Sequence, residues 1–92
     1  MKIRWSPEAA DDLERIVRRI QENNPTAARN VANTIYRGIG SLISSPQRGR
    51  IGRSAGSREL VFTPLPYIAV YRMKANIIEV SRIYHGAQSW PQ

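Results

Sequence analysis

No cysteine occurs in this chain, and histidine occurs once, at His85. The first absence excludes a disulfide framework and any thiolate nucleophile. Together they leave no ligand cluster for a metal ion, so neither a metal nor another cofactor is expected. Long apolar runs are missing as well. No stretch approaches the ~18 residues that span a bilayer, and the N-terminus carries no apolar run of signal-peptide length. The expectation is a soluble, unexported, cytoplasmic protein with no membrane partner. Ninety-two residues leave room for one small core, so a single domain over residues 1–92 is expected. No internal repeat, low-complexity tract or linker interrupts it.

Acidic residues are scarce after the first quarter of the chain. Residues 1–23 balance Glu8, Asp11, Asp12, Glu14 and Glu22 against Lys2, Arg4, Arg15, Arg18 and Arg19. From residue 24 onward only Glu59 and Glu79 oppose nine bases, so the whole net charge of +7 belongs to the later part. Twelve of the fourteen bases are arginine, which binds phosphate and carboxylate bidentately where lysine offers a point charge. A segregated, arginine-heavy excess points to an anionic partner, either nucleic acid or an acidic protein segment.

The chain opens with a short strand over Lys2–Trp5, with Ile3 and Trp5 on one face. Ser6-Pro7-Glu8 starts a helix through a capping hydroxyl, a proline suited to the first turn and acids at the positive end of the dipole. Ala9, Leu13, Ile16, Val17 and Ile20 then form one apolar stripe, and Asp11, Glu14, Arg15 and Arg18 face water. Asn24-Pro25 ends that helix and starts a second, whose face Ala28, Val31, Ala32, Ile35, Ile39, Leu42 and Ile43 persists to Ser44-Ser45-Pro46. Gly38 and Gly40 lower its helix propensity, and close backbone packing is the expected reason to keep them. Gln47–Ser57 reads as a mobile basic loop with Gly49, Gly52, Gly56, Arg48, Arg50 and Arg53. Its pattern GRIGRSAG lacks the lysine-serine ending of a phosphate-cradling loop. Strands over Arg58–Phe62, Tyr67–Met73 and Ile77–Tyr84 follow at short spacing. The expected architecture is α+β, in the order β-α-α-β-β-β, with a helical hairpin packed on a curved antiparallel sheet.

Chemistry concentrates at the end, in Ile77–Pro91. Arg82 and Tyr84 lie on the last strand, which delivers His85 onto Gly86. Arg58, Arg72 and Arg82 lie on neighbouring strands, where they either cluster on an open sheet face or pair with Glu59 and Glu79.

In this order of elements the chain resembles the RelE/ParE superfamily, the toxins of type II toxin–antitoxin pairs. The resemblance rests on Ser6-Pro7-Glu8-Ala9 with Asp12-Leu13; Asn24-Pro25 and Ala28; Pro46 with Gly49-Arg50; Arg58-Glu59-Leu60; Pro66-Tyr67 with Val70-Tyr71-Arg72; and Ile83-Tyr84-His85-Gly86-Ala87-Gln88 with Trp90. It runs from about Ile3 to Pro91. It implies a cognate acidic antitoxin that wraps an extended and helical segment around the toxin, and assembly as a homodimer or a toxin–antitoxin heterotetramer. It also implies one of two targets. One branch cleaves mRNA in the ribosomal A site; the other blocks DNA gyrase.

If the chain is an RNase, it is a metal-independent one, with His85, Arg72 and Arg82 as catalytic candidates. An imidazole can take and return a proton, and the arginines would steady phosphoryl charge. If it is a gyrase inhibitor, it is not an enzyme, and His85 ends its strand by bonding a backbone carbonyl. Ribosome-dependent members carry an arginine after the tyrosine of the second meander strand; here Ile68 follows Tyr67. The YHGAQ ending also resembles the ParE side, so gyrase inhibition is the expected activity and mRNA cleavage the alternative. A non-enzymatic basic nucleic-acid-binding module is a further alternative, although no RNA-binding aromatic signature or zinc-finger spacing occurs. The residues expected to meet antitoxin or target are Arg50, Arg58, Arg72, Arg82, Tyr84 and Trp90.

Overall fold

Ser6 and Asn24 set where the two helices begin. In the computed structural model, which describes residues 1–86, helix α1 spans Pro7–Gln21 and helix α2 spans Pro25–Gly40. Ser6 Oγ accepts from the Ala9 N–H at 3.0 Å, and Asn24 Oδ1 accepts from the Ala27 N–H at 3.0 Å. Each cap satisfies an amide that the helix itself leaves without a partner. The short break at residues 22–24 folds the helices into a hairpin. Helix α2 stops earlier than its apolar stripe suggests. A single 3₁₀ turn over Ser41–Ile43 follows, and it buries Leu42 while leaving Ile43 52% exposed.

The strands are β1 (Lys2–Trp5), β2 (Arg50–Ile51), β3 (Ser57–Val61), β4 (Tyr67–Lys74) and β5 (Ile77–His85), in the spatial order β1-β5-β4-β3-β2. The three-strand meander is antiparallel, as its short turns require. The sheet as a whole is mixed, because β1 runs parallel to β5. That pairing crosses nearly the whole chain, so no local turn signals it. The basic stretch expected as a loop also contributes a strand: β2 pairs with β3, setting Arg50 opposite Glu59.

Both helices pack on one face of the sheet. The core there includes Leu13, Ile35, Ile39, Leu42, Leu60, Phe62, Tyr71, Ile78 and Val80. A Cβ on Gly38 would stand 2.6 Å from Phe62 Cε1, so this glycine lets α2 settle against Phe62. Gly40 has no such neighbour within 4 Å. The expected close packing therefore explains the first glycine only.

The ladder between β4 and β5 is irregular at one point. Val70 pairs with Arg82 while Tyr71 pairs with Val80, so β5 carries one extra residue, Ser81. Such a bulge bends a strand and re-aims the side chains beside it.

Candidate functional site

Strand β1 ends at Trp5, whereas β5 continues to His85. Beyond Val80, no strand lies beside the outer edge of β5 among the described residues. The start of α1 takes that place. Ser6 N–H donates to the Val80 carbonyl at 2.9 Å, and Ser6 Oγ donates to the Ser81 carbonyl at 2.8 Å. Six residues further on, the Ile83 N–H donates to Asp12 Oδ2 at 2.9 Å. A side chain thus satisfies the backbone where a neighbouring strand would otherwise do so.

The Asp12 carboxylate is buried, with 5% of its surface exposed. Arg82 Nε donates to Oδ2 at 2.8 Å and Arg82 Nη2 to Oδ1 at 3.0 Å. Arg15 Nη2 donates to Oδ1 at 2.9 Å. With the Ile83 amide, four donors fill the roughly four lone-pair positions of a carboxylate. Burial pushes the Asp12 carboxyl up, but the Arg82 guanidinium, the Ile83 N–H and Arg15 outweigh it and hold the group below its ordinary value. The reciprocal hydrogen bond raises Arg82. Arg82 also lies over the Tyr84 ring, 5.0 Å from its centroid.

Beside this junction, the C-terminal half of α1, the start of β4 and the end of β5 border an open groove of about 700 Å3. Its lining combines Arg15, Arg19, Arg82, Asp12 and His85 with Ile16, Ile83 and Tyr67. His85 faces Tyr67 across the ladder, and the two rings meet edge to face with centroids 5.6 Å apart.

The other expected residues lie apart from this groove. Arg50 Nε donates to Glu59 Oε1 at 3.1 Å, and the Arg53 N–H donates to Glu59 Oε2 at 3.0 Å. The buried Glu59 thereby ties β2 and the turn after it to β3. Arg58 Nη1 donates to the Gly49 carbonyl at 2.7 Å and the Gln47 carbonyl at 3.2 Å. Arg72 donates to the Ala55 carbonyl. Strand alternation sets Arg58 on the face of Leu60 and Arg72 on the opposite face with Ile68 and Val70. The three arginines therefore do not share one open face. Arg82 finds its carboxylate on α1, not on Glu59 or Glu79; Glu79 pairs instead with Arg4 and Lys74. Tyr84 is buried at 7% exposure. Trp90 falls outside the described residues.

Sequence reasoning missed Asp12, Arg15 and Arg19 as members of a site. A faint signal was present. Asp12, Ile16 and Arg19 recur at i, i+4 and i+7, which sets them along one flank of the helix. Asp12 itself interrupts that flank next to the apolar stripe. Among the described residues, no group of three or more His, Asp or Glu is arranged to hold a metal ion, and no helix is long and apolar enough to cross a membrane.

With this geometry in place, the comparisons with known proteins agree with one another. The chain is 36% identical over 91 residues to the protein Y4kP of Sinorhizobium fredii, covering 99% of this chain and 94% of that one. It is 29% identical over 84 residues to Toxin RelE1 of Caulobacter vibrioides, covering 90% of each. In three dimensions it resembles a chain of the chromosomal ParDE toxin–antitoxin system from P. aeruginosa, with a TM-score of 0.85, 26% identity and coverage of 92% and 95%. It shares its fold with YafQ from E. coli strain BL21(DE3) at a TM-score of 0.63 and 16% identity, covering 92% of each chain. The sequence model of the ParE toxin of type II toxin–antitoxin systems matches residues 3–90. The chain belongs to the ParE toxin family and is a toxin of the type II toxin–antitoxin class.

Proposed function

We propose that this toxin is a ParE-like growth inhibitor that acts on DNA gyrase and is neutralised by a cognate acidic antitoxin. The observation that carries the reading is the engagement of Arg82. Two of its donors close on the buried Asp12, so an RNase using Arg82 at a scissile phosphate would have to loosen the junction that seats α1 on β5. Two further features agree. Arg72 donates to the Ala55 carbonyl. Ile68, at the position where the mRNA-cleaving branch carries arginine, is 8% exposed and pairs with Tyr84 in the ladder. A missing phosphate-holding cation costs about 2–4 kcal/mol of transition-state stabilisation if it acts as other oxyanion donors do. On this reading the protein is not an enzyme.

One observation favours the second reading, a metal-independent mRNA endonuclease. The groove gathers His85 with Arg15, Arg19 and Arg82 in a single lining, which combines an imidazole able to exchange a proton with three cations. Pulse labelling after induction in a bacterial host without antitoxin separates the two. Thymidine incorporation that stops before amino-acid incorporation supports gyrase. Immediate collapse of amino-acid incorporation overturns that reading in favour of mRNA.

A further inference from the structure

Most arginines of this chain are already engaged. Arg4, Arg15, Arg18, Arg50, Arg53 and Arg82 pair with carboxylates. Arg58 and Arg72 donate to backbone carbonyls. Two of the other arginines, Arg37 and Arg48, line one cleft of about 340 Å3 beside the end of α2 and the end of β3. Neither has an ion pair among the described residues, and no acid borders the cleft. Its floor is apolar, from Leu60, Val61 and Phe62, and Thr63 is exposed at its rim.

Both cations are held in place. Arg37 Nε donates to the Asn33 carbonyl at 3.4 Å, one turn back on α2. Arg48 Nη1 donates to Ser41 Oγ, which donates in turn to the Gly38 carbonyl at 2.6 Å. The Tyr71 hydroxyl holds Pro46 and Gly49 on either side of Arg48, so its backbone is fixed as well. Each guanidinium keeps the rest of its five N–H donors for a ligand. Like charges in an acid-free cleft repel, and a bound anion relieves that repulsion. The C-terminal end of α2 opposes an anion with about half an elementary charge, which two guanidiniums outweigh.

We propose that this cleft is a binding site for a phosphate group, carried by a small monoester or present as free phosphate. A phosphate has three strong acceptor oxygens and a charge of about −1.5 to −2 at pH 7, so it can accept from both arginines and from the Thr63 hydroxyl together. A carboxylate fills one guanidinium fork only. Val61, 40% exposed, leaves apolar surface for the organic part of an ester. The volume is at the small end of ligand pockets, which run from about 300 to 1,000 Å3, so it suits a small molecule and not a polymer. The cleft shares no residue with the groove along α1 and β5, and the inference does not depend on the choice of gyrase or mRNA.

The test is isothermal titration calorimetry of the full chain, in buffer free of phosphate and sulfate, with inorganic phosphate, adenosine 5′-monophosphate, adenosine and a short DNA duplex. Both phosphate probes are expected to bind and adenosine to fail. Tighter binding of the monophosphate assigns the site to an ester; equal or weaker binding assigns it to free phosphate. Arg37→Gln and Arg48→Gln should each lower the affinity about tenfold, the scale of one charge-assisted contact. Arg37→Lys keeps the charge without the fork and should fall between. Arg29→Gln removes a cation about 12 Å along the α2 axis from Arg37, beyond the screening length of ~8 Å at physiological salt, and should change the affinity less than about twofold. Melting curves without ligand show whether each variant keeps the fold. Arg37 bonds only within its own helix, so its two variants test the site even where Arg48→Gln disturbs the connection after α2. Three outcomes overturn the inference: no binding of either phosphate probe, whether or not the duplex binds; equal losses in Arg29→Gln and Arg37→Gln; or adenosine binding as tightly as its monophosphate.

Discussion

The Asp12 carboxylate on α1 accepts the backbone N–H of Ile83 on β5 at 2.9 Å, seventy-one positions away. Arg82, beside Ile83 on the bulged stretch, closes on the same carboxylate. The helix and the C-terminal end of β5 are thus held by one acid. A double-mutant cycle measures this. Breaking a buried pair costs roughly 3–5 kcal/mol, and Arg82 is about a third exposed, so each single alanine should cost less, about 1–3 kcal/mol. Asp12→Ala should cost more than Arg82→Ala because it also strips the Ile83 amide of its acceptor. The double variant should fall short of the sum of the two in urea unfolding. Full additivity would show that the pair is not coupled.

Arg72 gives a contrasting outcome. Its bond to the Ala55 carbonyl is exposed. Arg72→Ala should therefore leave the thermal midpoint within about 4 °C of the parent, since surface changes of this kind are worth less than about 0.5 kcal/mol. Replacing Arg72 and Arg82 together is not a neutral probe of binding, because Arg82 also supports the fold.

Acid should weaken the protein through Asp12. Its carboxyl lies below the ordinary value of 3.8, so the folded state binds fewer protons than the unfolded state around that pH. The stabilisation is fully present above the ordinary value and is lost as pH falls below it, through the lowered folded value. In Asp12→Asn this part of the acid limb should disappear. Unfolding midpoints measured from neutral pH downward provide the check, and parallel curves for the two proteins would contradict the assignment.

The two glycines of α2 should respond in opposite directions. Gly38→Ala sets a methyl against the buried Phe62 ring and should cost about 1–3 kcal/mol, in line with other overpacked cores. Gly40→Ala meets open space at the end of the helix and should stabilise by up to about 1 kcal/mol. Melting of the two variants side by side tests both.

Tyr71→Phe probes the anchor of the long connection between α2 and β3. The Tyr71 hydroxyl donates to the Pro46 carbonyl at 2.7 Å and accepts from the Gly49 N–H at 2.9 Å. The aromatic ring is fully buried and stays in the variant. Loss of the hydroxyl leaves two backbone groups short of a partner and should cost about 1–3 kcal/mol. Amide exchange at Gly49 should rise with it.

Local chemistry alone determined a large part of this protein. Ser6-Pro7 and Asn24-Pro25 specify helix starts through neighbouring amides, and the apolar stripe through Leu13, Ile35 and Ile39 specifies which faces are buried. Short turns at Pro64 and Asn76 make the three-strand meander antiparallel, and the ordered set of motifs suffices for the superfamily. The rest depended on partners far apart in the chain. The parallel seat of β1 beside β5 has no turn of its own to announce it, and the pairing of Arg50 with Glu59, though joined by a short turn, lies in a glycine-rich stretch that reads as loop. The arginines illustrate the same limit. From the strands alone, Arg58, Arg72 and Arg82 read as neighbours on an open face. An extra residue at Ser81 and a buried acid on α1 send Arg82 elsewhere, and the groove with Arg15 and Arg19 exists only once α1 lies along the end of β5. A carboxylate's choice among several arginines is settled by burial and distance, and both arise only when the helix meets the sheet.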